Sequence, residues 1–228
     1  MAIASTKPPW IFRLFVRAVT RVADEPSDIE ILRAGGPAAL AEVFSRHSPQ
    51  LERIVRFRLD RRLYGRVDAA DIVQESYIEI AKRVDEFLVE PKVSFLIWAR
   101  QITWQTLMTA HRQHFNVQKR DVAREVALNV DRSATSFCLA SKLVASMTSP
   151  SQAAIREERV VQLREALEKM DATDREVLAL RHFEHLTNKE VSEVLGIKKT
   201  AASNRYVRAI ERLREVLDSV MNLSLIHI

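Results

Sequence analysis

Hydrophobic positions recur every three or four residues over most of this chain, which is the spacing of amphipathic helices. From Ala38 to Leu63 the pattern predicts two helices, with Ser48-Pro49 as the break between them. It predicts a longer helix from Asp71 to Phe87. Glu90-Pro91 interrupts the pattern, because the residue before a proline is driven out of the helical region, and the pattern resumes from Phe95 to His114. The first half of the chain is therefore expected to be helical.

A serine-rich segment separates this half from the next. Between Asn129 and Pro150 serine recurs and a proline closes the stretch, which predicts a flexible linker with a short helix around Leu139 to Val144. Beyond it the pattern predicts four more helices, from Gln152 to Met170, Thr173 to Phe183, Asn188 to Leu195 and Lys199 to Val220. The predicted fold class is all-α, with two small helical domains joined by a flexible linker.

Helix-end signals define a motif in the second domain. Thr173-x-x-Glu176 and Thr187-x-x-Glu190 match the capping box, in which a hydroxyl and a carboxylate satisfy free amides at a helix start. Gly196 suits the left-handed conformation that ends many helices. The helix before this glycine, the turn and the helix after it have the proportions of a helix-turn-helix.

The second helix of this motif has two different faces. Its inward face is expected to contain Ala202, Tyr206, Ala209, Leu213 and Leu217. Its outward face combines basic, amide and hydroxyl side chains with a valine, which suit the base edges and phosphates of a DNA major groove. The predicted DNA residues are Lys199, Thr200, Ser203, Asn204, Val207, Arg208 and, further along at phosphate, Arg212.

The distribution of charge supports this interpretation of the helix. The whole chain carries a net charge of +5, and from Gly196 to Arg214 six basic residues stand against Glu211 alone. Clustered positive charge of this kind favours nucleic acid as a partner. The alternative is an ordinary helical pair with a solvated basic face.

Composition narrows the class of protein further. The chain has 228 residues, enough for one large or two small domains. It has only four glycines and seven prolines, which disfavours all-β folds and their many tight turns. Cys138 is the sole cysteine, so cysteine zinc sites are excluded. The pairs His111/His114 and His182/His185 lack the further ligands that a metal site needs, and no nucleophile or phosphate-loop motif occurs. Neither an enzyme nor a cofactor is expected.

Two separated motifs resemble those of one protein family. Asp71 to Tyr77 resembles the Asp-x-x-Gln-Glu run in region two of extracytoplasmic-function (ECF) sigma factors. The stretch from Met170 through Leu213, with its runs at Asp174 to Leu178 and Glu190 to Gly196, is similar to region four of the same family. The motifs stand in the family's order, with a linker between them, and together they cover Ala38 to Leu217.

Smaller features refine the resemblance. The runs Phe57 to Leu63 and Ala202 to Ala209 resemble a planctomycete-type subgroup. Family members usually place Ser or Thr two residues after the glycine as the cap of the recognition helix, whereas this chain has Lys198. A lost cap costs about 1 kcal/mol, so the helix start is expected either to shift to Thr200 or to be supported by phosphate.

The resemblance implies a bacterial sigma factor that directs core RNA polymerase to specific promoters and initiates transcription in the cytoplasm. It implies a region-two domain at 28–115 that binds core polymerase and the minus-ten element, a linker at 116–150, and a region-four helix-turn-helix at 151–222 that binds the minus-thirty-five element. The implied partners are the clamp of the largest polymerase subunit and promoter DNA, and the family also allows for an anti-sigma factor. The alternative is a polymerase-independent helix-turn-helix regulator.

The resemblance also assigns residues in the first domain. The family's region two docks on the clamp through its second helix, which here offers the outward residues Asp71, Gln74, Glu75, Ile78 and Glu79. The aromatic and basic helix from Phe95 to His114 corresponds to the one that opens and reads the minus-ten element. Its implied DNA residues are Trp98, Arg100, Gln105, Thr109 and Arg112. The alternatives are a solvated surface for the polymerase face and core packing for Trp98.

The two ends of the chain carry predictions of their own. Trp10 to Val22 predicts a basic amphipathic helix within an N-terminal extension at 1–27, which is either a membrane-surface or partner-binding helix or an upstream extension from a wrongly chosen start codon. The chain has no run of about 18 uncharged apolar residues, so no transmembrane helix is predicted. The stretch from Leu223 to Ile228 can be encoded by a transposase adapter used in sequencing libraries and is interpreted as an artefact.

Overall fold

The computed structural model describes residues 27–59, 63, 65–115, 126–147 and 153–223. The described residues form helices joined by turns and short loops, and no strand occurs among them, which confirms the all-α prediction. The helices are α1 (Asp28–Arg58), α2 (Ala69–Val89), α3 (Phe95–Phe115), α4 (Val126–Met147), α5 (Ala153–Glu168), α6 (Ala172–Leu178, continued by a π-helical turn over Ala179–Phe183), α7 (Asn188–Leu195) and α8 (Lys199–Leu223). The predicted helix at Trp10 to Val22 and the adapter-like residues 224–228 lie outside the described residues.

The helix α1 bends at Gly36 and continues through Pro49. Ser27 caps its first turn, and Gly36 breaks the helical path at φ 58° and ψ −147°, a conformation that glycine adopts most readily. The predicted break at Ser48-Pro49 is wrong. Pro49 is exposed, and the residues on both sides of it, Val43 and Leu51 among them, are buried in one core, so their packing outweighs the local cost of the proline.

The helices α2 and α3 lie where the sequence predicts them and pack with α1 around a first core. Gly65, at φ 80°, forms the turn before α2, and the Asp68 carboxylate accepts a 3.1 Å hydrogen bond from the backbone amide of Ala70. The helix α2 ends at Val89, before Pro91, as predicted. This packing leaves the opposite faces of α2 and α3 available to solvent.

The helix α4 occupies much of the predicted linker. The expected short helix around Leu139 to Val144 is present, but as part of a helix of 22 residues. Leu139 is 1% exposed, and with Leu143 and Val144 it belongs to a second core built with α5, α6 and α8. The prediction of a flexible linker therefore does not hold for the later part of 129–150. The apolar stripe of α4 is buried there, although the helix contains many serines.

The caps of the C-terminal helices follow the predictions in part. The capping box of Thr187 with Glu190 and the left-handed Gly196, at φ 63°, are both confirmed. The predicted capping box at Thr173 is wrong, because the carboxylate of Asp171 accepts the free amides of Thr173 and Asp174 at 2.9 and 3.2 Å. A carboxylate at this position also interacts favourably with the helix dipole.

Candidate nucleic-acid and polymerase interfaces

The helices α7 and α8 form the predicted helix-turn-helix around Gly196. Ala202 and Ala209 of α8 are fully buried, Leu213 and Leu217 are buried, and Tyr206 is half-buried, so the rotation predicted for this helix is confirmed. The helix starts at Lys199, with the Ala202 amide bonded to the Lys198 carbonyl at 2.9 Å. The start therefore does not shift to Thr200.

The outward face of α8 is exposed from Lys199 to Arg212. Val207 is 55% exposed, so its side chain is accessible to a partner. The exposed residues of this face are Lys199, Thr200, Ser203, Asn204, Val207, Arg208 and Arg212. These are the seven residues predicted to contact DNA, and they lie together on one surface.

One basic residue of α8 has a different role. Arg205 donates hydrogen bonds to Asp174 at 2.8 Å and Asp171 at 3.0 Å, and the bond to Asp174 raises the pKa of the guanidinium. It therefore ties α8 to the start of α6. The sequence count of positive charge included this residue, but its charge is already paired within the domain.

Asn188, at the start of α7, forms hydrogen bonds with two of the residues predicted to contact DNA. Its side-chain amide donates to the Lys199 carbonyl at 2.9 Å and to the Ser203 hydroxyl at 3.0 Å. A hydroxyl that accepts this bond keeps its own proton for another acceptor. Asn188 thus orients Ser203, a role that sequence reasoning missed because the two residues lie on different helices.

The outward face of α2 is exposed as predicted. Asp71, Gln74 and Glu75 are exposed, and Ile78 between them is 55% exposed. Glu79 is half-exposed and accepts hydrogen bonds from Lys82 at 2.8 Å and Arg83 at 2.7 Å, which lower the pKa of its carboxyl. The face therefore offers two acidic groups, an amide and an apolar side chain to a partner.

The predicted DNA residues of α3 divide into two groups. Gln105, Thr109 and Arg112 are exposed along one face of the helix. Trp98 precedes them on that side, half-buried, and its ring stacks on Phe87 with centroids 4.4 Å apart and an interplanar angle of 14°. In this structure Trp98 packs against Phe87, as the core-packing alternative expects.

Arg100 does not lie with these residues. It is five residues before Gln105, about 140° away around the helix, and its guanidinium donates to the Glu184 carboxylate at 2.6 and 3.1 Å. The prediction that Arg100 contacts minus-ten DNA does not agree with this conformation, because the side chain is held against the second half of the chain.

Arg58 joins Arg100 in a buried charge cluster. It donates to Glu184 at 2.8 Å, to Glu176 at 2.5 and 3.1 Å, and to the Thr135 hydroxyl at 2.8 Å. Burial alone would lower the pKa of Arg58, but the two carboxylates raise it. Burial would likewise raise the pKa of Glu184, but Arg100 and Arg58 hold it well below its usual range. Arg58 and Glu184 are therefore both charged at neutral pH.

Apolar and polar contacts surround this cluster. Phe57 stacks on Phe183 with centroids 4.8 Å apart, and Glu193 of α7 accepts hydrogen bonds from the amide and hydroxyl of Ser94 at 3.1 and 3.2 Å. Leu180, Val191 and Ala202, among other residues of the second half, belong to the same core as α1, α2 and α3. The two halves are thus packed against each other through a continuous interface.

His182 is expected to make the stability of the C-terminal domain depend on pH in the acid range. Burial, with Arg181 and His185 nearby, lowers the pKa of His182 to about 4 from 6.5, and the Tyr206 hydroxyl lies 3.1 Å from its Nε2. Because unfolding lets this group bind a proton, stability should fall between pH 6.5 and about 4, by on the order of 3 kcal/mol. Chemical denaturation of wild type and His182→Gln at both pH values measures the difference. An equal acid response in both proteins would contradict this assignment.

Among the described residues, no group of three or more His, Cys, Asp or Glu side chains is arranged to hold a metal ion. None of the described helices has the length and hydropathy that crossing a membrane would require.

Two regions of the chain match family descriptions. Residues 43–115, which include α2 and α3, match "Sigma-70 region 2", and residues 161–213, which include the helix-turn-helix, match "Sigma-70, region 4". The two matches together cover more than half of the chain.

Two solved structures that the chain resembles are remote from it in sequence. The structure of CnrH in complex with the cytosolic domain of CnrY is 20% identical, covering 84% of this chain and 96% of that one with a TM-score of 0.47. The RsbN–BldN complex is 15% identical, covering 82% of this chain and 98% of that one with a TM-score of 0.29. No curated protein matches the chain.

Two sigma regions on one chain define a transcription initiation factor. The chain belongs to the sigma-70 family, as an ECF-type factor with region two followed by region four. It is a sigma factor that directs RNA polymerase to promoters, and it is not an enzyme.

Proposed function

We propose that three surfaces divide the work of promoter recognition in this sigma factor. The outward face of α2 binds the clamp of the largest polymerase subunit. The exposed row on α3 contacts the minus-ten element, and the outward face of α8 contacts the minus-thirty-five element. The observation that carries the proposal is the exposure of all seven predicted residues on one face of α8, beside a buried face that fixes its rotation.

The polymerase surface is proposed from its chemistry. Asp71 and Glu75 supply negative charge, and the exposed Ile78 supplies apolar contact area in the middle of the face. Glu79 lies on the same face, with its carboxylate already paired with two basic residues of its own helix. Such a face is complementary to a basic helix with an apolar stripe, and charges of opposite sign fix the register of the two partners.

The proposed minus-ten surface contains fewer residues than the sequence predicts. Gln105, Thr109 and Arg112 can reach a strand that runs along α3, with Arg112 at phosphate and the amide of Gln105 at a base edge. Trp98 would have to leave its stack on Phe87 to meet a base. We therefore assign it a packing role, and we assign Arg100 to the interface between the domains.

Substitutions on α8 test the assignment of the minus-thirty-five surface. Asn204 lies near the start of the helix, where side chains reach base edges, so Asn204→Ala should cost about 1 to 3 kcal/mol and relax preference at one or two base positions. Arg212 lies more than two turns further along the helix, where we expect the helix to leave the groove and meet a DNA phosphate. Arg212→Ala should weaken binding similarly on every sequence and reduce the salt slope by about one ion.

The measurement is the affinity of the polymerase–promoter complex on single-base promoter variants at two salt concentrations. Glu215→Ala, at another exposed position of α8, is the control and should leave base preference unchanged. If Asn204→Ala keeps full base discrimination while Arg212→Ala changes it, the proposed orientation of α8 on DNA is wrong.

Three finer assignments rest on the family and on the resemblance of sequence runs. We infer that the protein works in the cytoplasm, where polymerase and chromosome are found, and that an anti-sigma factor is among its partners. The runs at Phe57 to Leu63 and Ala202 to Ala209 support membership of the planctomycete-type subgroup. We propose 28–115 as the bounds of the first domain, and we extend the second domain beyond 151–222 to include α4, because α4 packs into its core.

A further inference from the structure

The two sigma regions of this chain are held together by a buried ionic contact. Glu184, in the turn after α6, is 0% exposed and is shared by Arg58 of α1 and Arg100 of α3. A carboxylate buried without a cationic partner would be strongly destabilising, so Glu184 can remain where it is only while the two arginines of the other domain enclose it. We propose that this cluster, named here the Glu184 latch, keeps the free protein closed and inactive toward promoters.

The contacts around the latch favour the same closed state. Glu193 holds the start of α3 through Ser94, and Phe183 stacks on Phe57 beside the ionic cluster. Val177, Leu180 and Leu186 pack into the core of region two. Opening would expose this apolar surface to water, whereas the separated charges would regain hydration. Because these two effects oppose each other, the closed and open states differ by a limited free energy.

The closed state conflicts with promoter binding, which is where this inference rests on the proposed function. The minus-ten and minus-thirty-five elements lie about 25 base pairs apart, or about 85 Å along DNA. A compact chain of this length has a radius of gyration of about 17 Å. With α3 and α8 packed into one body, the two DNA surfaces cannot reach both elements at once. Promoter binding must therefore break the latch.

Charge reversal at the latch is the direct test. Glu184→Arg places a third positive charge against Arg58 and Arg100, which should open the free full-length protein. Small-angle X-ray scattering should then show the radius of gyration rising by about 5 to 10 Å. Tryptophan emission should shift to the red, and Trp104→Phe should remove the shift, since the Trp104 ring lies 5.7 Å from the Arg58 guanidinium carbon.

Two further variants separate the latch from general effects of charge and folding. Glu165→Arg makes the same charge change at an exposed position on α5 and should leave the protein closed. Glu184→Gln keeps the shape of the side chain and removes its charge, so it should open the protein in part. Circular dichroism checks that each variant retains wild-type helix content. A compact Glu184→Arg protein with native helix content, or a wild type already as expanded as the variant, would overturn the latch.

The functional arm uses purified core polymerase and a promoter fragment that the wild-type holoenzyme has selected from random DNA. If only the open form of the free protein can assemble with core polymerase on the promoter, the apparent affinity of this assembly is reduced in proportion to the open fraction. For a protein that is open one tenth of the time, breaking the latch should therefore raise the apparent affinity about tenfold. If the Glu184→Arg protein expands but its apparent affinity does not rise, the latch does not inhibit promoter binding, even though the holoenzyme still binds its promoter. If the holoenzyme selects no promoter at all, the proposed function fails, and the scattering result still decides whether the latch exists.

Discussion

The Glu75→Lys protein should lose its association with core RNA polymerase. Glu75 lies at the centre of the exposed face of α2, between Asp71 and Glu79. A like charge across a charged interface costs several kcal/mol, so reversal at this position should weaken binding by a factor of 100 or more. Titration of purified core polymerase with labelled protein measures the change.

The control for this variant is Glu42→Lys. Glu42 is exposed on α1 and pairs with Arg46 one turn away, so the substitution changes net charge equally on a different helix. It should leave core binding close to wild type. Wild-type affinity of Glu75→Lys for core polymerase would remove α2 from the polymerase interface.

The second large effect is expected at Leu139, in the segment whose sequence predicts a linker. Leu139 is 1% exposed and packs into the core shared by α4, α5, α6 and α8. Leu139→Ala should therefore lower the free energy of unfolding of the C-terminal domain by about 2 to 5 kcal/mol, from lost burial and the cavity left behind. Denaturant unfolding followed by circular dichroism measures the loss.

Lys142→Ala provides the matched comparison on the same helix. Lys142 is exposed, so its truncation should change stability by less than about 0.5 kcal/mol. If Leu139→Ala unfolds with the wild-type midpoint and slope, α4 is not part of the domain core, and the segment acts as the linker that its serine content predicts.

Local patterns account for much of this fold. The bounds of α2, α3, α7 and α8 follow from hydrophobic spacing, capping residues and glycine, all of which act within a few residues of one another. The rotation of α8 follows in the same way, because each buried position on a helix defines its exposed face. The seven predicted DNA residues of α8 therefore share one exposed face, as their spacing along the sequence predicts.

Contacts between distant residues account for what the sequence does not reveal. Arg58 and Glu184 are 126 positions apart, and nothing in the surroundings of either residue identifies the other as its partner. Arg100 appears on sequence grounds to be a free cation for the same reason. The continuous path of α1 through Pro49 likewise depends on burial on both sides of the proline, which local propensity does not include.

The wrong cap was predicted for α6 because the deciding contact lies outside that helix. Asp171 and Thr173 are both good capping residues, and the capping-box spacing of Thr173 to Glu176 favours the second of them. In the structure Glu176 faces Arg58 instead of the helix start, which leaves the cap to Asp171. A distant ion pair thus decides between two local alternatives.

A gel shift with and without core RNA polymerase tests the central claim most directly. The probe is the promoter fragment selected by the holoenzyme, and the lanes contain the protein alone, core polymerase alone and both together. The account predicts little retardation by either component alone and a specific complex with both. Strong, specific retardation by the protein alone, unchanged by core polymerase, would contradict it and identify a polymerase-independent regulator.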